Sequence, residues 1–300
     1  MRYTPCMPYI YAHATIGLLT EKKVEKSAKN VINAHREAFL LGLLGPDPFF
    51  GDRLPPPLFT PHQKELANKL HSESAAILFS NLLSLSKKNV ARLAYTFGFL
   101  CHFALDYSVH GYIESRYRGN DHTRFEMRMD LPIRDHYGLE ETMASPASVY
   151  KVGSGAPLGA DDLLAQLFSD LYGLRTNGVY FRSYNKWATV QQLAYDPTGK
   201  KLKFAKWLDR ITKKPDRLAG FLLTYDPTDE RDLFNKTHAP WAAPWSPDEI
   251  HTESYFMLFD GAVDYAVSLV NAAAHAVLTD DTGELLGLIG SRTMDGTDHV

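Results

Sequence analysis

Apolar residues along this chain recur mostly at helical spacing. Between residues 24 and 44, Val31, Ile32, Phe39, Leu40, Leu43 and Leu44 fall on one stripe, which stops at the breaker pair Gly45-Pro46. A second helix is predicted over 63–86 (QKELANKLHSESAAILFSNLLSLS), after the proline-rich LPPPLFTP. A third follows over about 89–117, and a short fourth from 122 to about 131. Further helical stretches fall near 160–175, 184–195, 200–225 and 248–278. Alternating β-branched runs hardly occur, so strand signals are weak. The segment 144–160 (ASPASVYKVGSGAPLGA) either separates two halves of the chain or forms a surface loop within one domain, and the loop is the expectation. The tail after Asp280 ends in polar residues and is expected to fray.

Composition narrows the class. Three hundred residues, 45% hydrophobic and 22% charged, can bury a substantial core. A net charge of −3 argues against a general nucleic-acid coat protein. Two cysteines, Cys6 and Cys101, cannot build a disulfide framework. No apolar run of about 20 residues offers a transmembrane segment, and the first residues lack a basic stretch followed by an apolar core. A cytoplasmic location is therefore expected. Residues 200–217 (KKLKFAKWLDRITKKPDR) interleave eight basic and two acidic residues with Leu202, Phe204, Trp207 and Ile211. A peripheral membrane contact fits this pattern, but a solvated helix with a buried apolar stripe is the plainer expectation.

Candidate chemistry concentrates in CHFALDYSVHGYIESRYRGNDHTRFE, residues 101–126. Positions four apart share a helix face, so His102, Asp106 and His110 form a stripe about 12 Å long. A zinc ion with bonds of about 2 Å does not span that stripe, whereas two neighbouring ions can, with Asp106 between them. His122 and Glu126 repeat the spacing on the next helix. Upstream, His71 interrupts an amphipathic helix, Asp47 sits among apolar residues after Gly45-Pro46, and His13 lies among aromatic and apolar neighbours. A lone aspartate in such company is costly to bury unless paired or ligating. Glu114 continues the stripe as an alternative ligand. Asp130, four residues past Glu126, is a candidate to orient a ligand histidine from behind. Against that stands the plainer reading of a solvated carboxylate at a helix end. His35 reads as structural.

Five separated blocks, MPYIYAH, GLLGPDPFF, KLHSES, GFLCHFALDYSVHGYIE and DHTRFE, occur in order over residues 7–135. In them the chain resembles the zinc-dependent phospholipase C family, and within it the signal-less bacterial branch. Zinc nucleases of single-stranded nucleic acid are more distant relatives. The later PWSPDEIHTESYFMLFDGAVDYA is similar to that branch's C-terminal helix. The resemblance implies an all-α fold, a single helical domain over 1–300, with a metal-binding core at 7–135 and C-terminal helices at 160–280 completing it. It further implies a zinc cluster of two or three ions at the bottom of a cleft. Asp47, His71, His102 and Asp106 would hold one ion, His110, His122 and Glu126 a second, and His13 with Asp106 a third. Two departures stand out. In the secreted enzymes the mature N-terminal residue is itself a ligand, whereas here MRYTPC precedes the aligned Met7. The interval from Asp106 to His110 is also shorter than in those enzymes.

The implied activity is hydrolysis of a phosphodiester, possible substrates including phospholipid, by attack of a metal-bound hydroxide on phosphorus. Asp47 is the candidate catalytic residue, accepting the proton of the attacking water. Two alternatives stay open: a zinc nuclease acting on single-stranded nucleic acid, and a non-catalytic, metal-stabilised helical binding protein.

Overall fold

The computed structural model describes residues 10–53, 62–117, 120–214, 216–226 and 229–297; side chains at 51–53, 62 and 120–122 are outside the described set. Thirteen α-helices and no strand occur among these residues, with only isolated bridges such as Tyr195 to Leu223. This is the all-α fold that the resemblance implies.

The frame is the helix α6 (Val90–Arg116). The Asn89 side chain starts it by accepting from the Ala91 and Arg92 amides at 3.0 and 3.1 Å. From Leu93 to Asp106 every residue is buried. A helix buried all round lies inside a bundle, not on its surface. Around α6 pack α1 (Ile10–Lys23), α3 (Arg36–Gly42), α5 (Ala75–Ser86) and α12 (Tyr255–Thr279), with α12 and α3 making the most extensive contacts. The α3–α6 crossing is close enough to demand glycine from both helices. A Cβ on Gly42 would stand 2.0 Å from the Tyr95 carbonyl oxygen, and one on Gly98 2.1 Å from that of Phe39.

Several elements differ from the sequence expectation. The stripe at 24–44 is two helices, α2 (Lys26–Ala34) and α3, broken at His35, which is exposed. The predicted helix 63–86 divides into α4 (His62–Ser72) and α5. Neither break contains glycine or proline, so periodicity runs through them unmarked. The fourth helix is longer than expected: α7 (Asn120–His136) continues through Pro132, with Met129 and Ile133 fully buried. Packing there outweighs the lost amide hydrogen bond. The segment 144–160 is no plain loop, since it holds α8 (Pro146–Tyr150), opened by a Ser145–Ser148 capping box, and the start of α9 (Gly155–Tyr172). After α10 (Val179–Ala194), α11 covers only Lys200–Thr212, because Lys213 turns to φ 53°. The Asp209 carboxylate then accepts from the Leu218 and Ala219 amides. The last long helix, α12, begins at Tyr255 and not near 248, with Ser254 capping the Met257 amide at 3.3 Å.

Among the described residues α12 alone is long and apolar enough to cross a membrane, and half of that stretch is buried inside the fold. The tail does not fray where it is described. It forms α13 (Gly283–Ile289) and then a turn in which the Thr293 amide donates to the Thr297 carbonyl at 2.9 Å.

Candidate metal centre

Four elements bring the predicted ligands together. His13 stands one turn into α1, His71 in the last turn of α4, and His102, Asp106 and His110 on the inward part of α6. Asp47 opens a 3-10 helix (Asp47–Arg53) reached from α3 through a tight chain reversal. Gly45 makes that reversal with φ 49°, and a Cβ there would lie 2.7 Å from the His102 ring. No other residue type brings the backbone this close to the imidazole without displacing it.

His13, Asp47, His71, His102 and Asp106 converge in the interior, all of them buried. Each carboxylate divides its oxygens between two sides. Asp106 turns Oδ1 to His13 Nε2 (3.5 Å) and Oδ2 to the Nε2 atoms of His102 (3.0 Å) and His71 (3.8 Å). Asp47 turns Oδ2 to His13 Nε2 (3.7 Å) and Oδ1 to His71 Nε2 (3.5 Å). Two sets of three have ligand atoms within 4.8 Å of one another: His13, His102 and Asp106, and Asp47, His71 and His102.

The donor set fits divalent cations. Ligand atoms about 2 Å from one tetrahedral ion are about 3.3 Å apart, close to the separations here. Among the described residues the buried His102 Nε2 makes no hydrogen bond despite its 3.0 Å distance from Asp106, as expected of two ligands that would share a cation and not a proton. Three imidazoles are fixed from behind by main-chain carbonyls. The Nδ1–H of His71 donates to Ala67 (2.9 Å), that of His102 to Leu43 (3.1 Å) and that of His110 to Met294 (2.9 Å). Each bond holds the tautomer that leaves Nε2 unprotonated for a metal. Among the described residues His13 has no such anchor, its Nδ1 being buried without a partner there, and its ring stacks on His102 at 4.2 Å.

Charge in the metal-free cluster is tightly balanced. Burial alone would raise the Asp106 carboxyl, but the imidazoles of His102, His110 and His13 hold it well below the usual carboxylate range. Burial disfavours protonation of His71, yet the hydrogen bond and charge of Asp47 prevail and raise it to about 9. His102 is likewise raised, burial being outweighed by Asp106 and Asp47. His13 goes the other way, to about 4, through burial and then the charge of His102. Positive charge is drawn to this place whether protons or metal ions supply it.

The other predicted residues sit as follows. His110 and Glu126 are both buried, on α6 and α7. His122 belongs to the first turn of α7, but its side chain lies outside the described residues. Glu114 is partly buried one turn past His110. Asp130 departs from both of its sequence readings. It is 1% exposed, so it is not a solvated carboxylate, and its hydrogen bonds go to the amides of Tyr11 (2.9 Å) and Ala12 (2.8 Å), not to a histidine ring. It therefore caps the helix that carries His13. The sequence also gave no hint of Met294, whose part is played by its main chain alone. A separate cavity of about 540 Å³, lined by Ile10, Tyr150, Tyr184, Trp187 and Gln191 among others, contains none of the predicted ligands.

Comparison with curated proteins found no match, nor did comparison with solved structures. The family model described as zinc dependent phospholipase C matches residues 8–156, about half of the chain. That half contains all eight predicted ligands, and through it the chain belongs to the zinc-dependent phospholipase C family.

Proposed function

We propose that this chain is a metal-dependent phosphodiester hydrolase of phospholipase C type with a phospholipid-type substrate. The observation that carries it is the buried convergence of three imidazoles and two carboxylates, with oxygens turned to two sides, inside the family segment. Zinc bound there would supply Lewis acidity toward phosphoryl oxygens and lower the pKa of a bound water. His13, Asp47, His71, His102 and Asp106 would hold metal on one part of the centre. His110, His122 and Glu126 would hold the other part. The carbonyls of Leu43, Ala67 and Met294 keep three of the rings in register. Asp47, which follows the Gly45 turn, would in this reading accept a proton from the attacking water.

The surface of α11 supports contact with a lipid bilayer. Leu202 is buried, but Phe204, Trp207 and Ile211 are 60%, 54% and 58% exposed, contrary to the buried stripe expected from sequence. Positions 204, 207 and 211 follow helical spacing, the Phe204 and Trp207 rings stack at 5.7 Å, and exposed Lys200, Lys203, Arg210, Lys213 and Lys214 surround them. Apolar tips ringed by cations suit insertion at an anionic interface.

The deciding experiment offers zinc-loaded protein choline, ethanolamine and inositol phospholipids beside single-stranded DNA and RNA. Diacylglycerol and a phosphorylated head group are the expected products. Cleavage of nucleic acid alone would transfer the chemistry to a nuclease. Stoichiometric zinc without cleavage of any phosphodiester would leave a metal-stabilised binding protein.

A further inference from the structure

His110 takes its orientation from a turn at the far end of the sequence. Its ring N–H donates to the Met294 carbonyl at 2.9 Å. The turn closes on itself, the Thr293 amide donating to the Thr297 carbonyl at 2.9 Å and the Gly296 amide to the Thr293 carbonyl at 3.4 Å. Where it meets α6, a Cβ on Gly296 would stand 3.5 Å from the Tyr107 carbonyl oxygen, about one turn before His110. The Met294 side chain is buried and holds the turn from the core side.

On the solvent side stands Trp245. Its indole edge at Cζ2 lies 3.0 Å from where a Cβ on Gly296 would be, and 3.6 Å from the same position on Gly111, the residue after His110. Two glycines, one on the turn and one on α6, thus leave the gap that this ring fills. The loop carrying Trp245 is fixed at its base. There the Trp241 and His251 amides each donate to the other's carbonyl, at 2.9 and 2.8 Å, and the Trp241 Nε1–H donates to the Glu253 carbonyl at 3.1 Å. With 41% of its surface in water, Trp245 adds less to the core than a fully buried tryptophan does, and its inner edge makes the contact between turn and helix.

We propose that Trp245 is a positioning residue for the metal centre: wedged between Gly111 and Gly296, it keeps the 293–297 turn against α6 and the Met294 carbonyl on the His110 ring. A carbonyl behind a ligand imidazole fixes its tautomer and the aim of its Nε2. His71 and His102 take their carbonyls from Ala67 and Leu43, so neither ring depends on this turn. Of the three anchored imidazoles only His110 does. Trp245 lies outside the segment matched by the family model. The assignment rests on His110 being a ligand of the metal centre.

The test uses the full chain with isotope-labelled histidine and the variants Trp245→Ala, Trp245→Leu and Trp245→Phe. Nuclear magnetic resonance of the metal-free protein follows solvent exchange of the ring N–H protons of His71, His102 and His110, and chelator competition measures zinc affinity. Trp245→Ala is expected to speed exchange at His110 by about 10-fold or more while His71 and His102 keep their wild-type rates. It should also weaken one zinc ion by about 10- to 100-fold and leave the rest as in wild type. Trp245→Leu, which partly fills the gap, should give the same pattern on a smaller scale, and Trp245→Phe should restore most of both. Wild-type affinity for every ion in Trp245→Ala and Trp245→Leu would overturn the proposal, whatever the ring signals show. Equal acceleration at all three rings would overturn it too, marking Trp245 as a contributor to general stability alone. Wild-type protein that takes up no zinc would instead refute the metal centre itself, and the role of Trp245 with it.

Discussion

Replacing Gly45 by alanine separates the geometry of the site from general stability. Gly45 has φ 49°, where an L-residue costs about 1–2 kcal/mol. The added Cβ would stand 2.7 Å from His102 Cδ2, and ordinary contact begins at 3.4 Å, so the ring must retreat by 0.7 Å. It cannot do so and keep its 3.1 Å bond to the Leu43 carbonyl, and a buried imidazole N–H left unpaired costs a further 1–3 kcal/mol or so. Gly45→Ala should therefore lose about 2–5 kcal/mol of stability and weaken metal binding by about 10- to 100-fold. Gly138→Ala is the control: its φ is 65° but nothing lies within 4 Å of the new Cβ, so only the backbone cost remains and metal affinity stays at the wild-type value. Urea unfolding of metal-free protein measures the first quantity and chelator competition the second. Equal losses of stability in the two variants, with metal affinity intact in both, would refute the account of Gly45 as the residue that seats His102.

Proton linkage gives a second prediction. In the metal-free protein the His71–Asp47 pairing contributes stability that is whole below pH 6.5 and is lost as pH rises through about 9. Because a metal must displace that proton, zinc binding at pH 7.5 should release at least about one proton per protein, read by calorimetry in buffers of different ionisation enthalpy; no release would contradict it. Asp106→Asn keeps the shape but removes charge from both sides of the cluster, so zinc content should fall by more than about one ion per chain in elemental analysis. Retention of every ion would show that Asp106 is not shared. Replacing Phe204, Trp207 and Ile211 with serine removes roughly 1 kcal/mol of bilayer contact each, about 100-fold in affinity for anionic vesicles, with the melting temperature unchanged. Co-sedimentation equal to wild type would remove α11 from the membrane.

Much of the centre was legible because its chemistry follows helix periodicity. His102, Asp106 and His110 on α6 need only a spacing of four to be seen, and Asp47 stands out as a charge between apolar residues after Gly45-Pro46. What could not be read was set by tertiary contact. The breaks at His35 and between α4 and α5 carry no breaker residue, so packing alone locates them. Asp130 has the spacing of a further ligand, yet its partners are amides 118 and 119 positions away. The apolar residues of α11 have the pattern of a buried stripe, and no pattern reveals whether another element covers it. Met294 was invisible for a different reason: a carbonyl has no sequence signature.

Orientation of the three anchored rings is written into main-chain atoms at positions 43, 67 and 294. Every amino acid has a carbonyl, so exchange of Leu43, Ala67 or Met294 for another residue of fitting volume leaves the ring contact in place. A deletion of one residue beside any of them shifts the carbonyl out of reach. Evolution of this protein would thus be free to change letters at those places while being held to their count, and the machinery is guarded by chain length more than by residue identity.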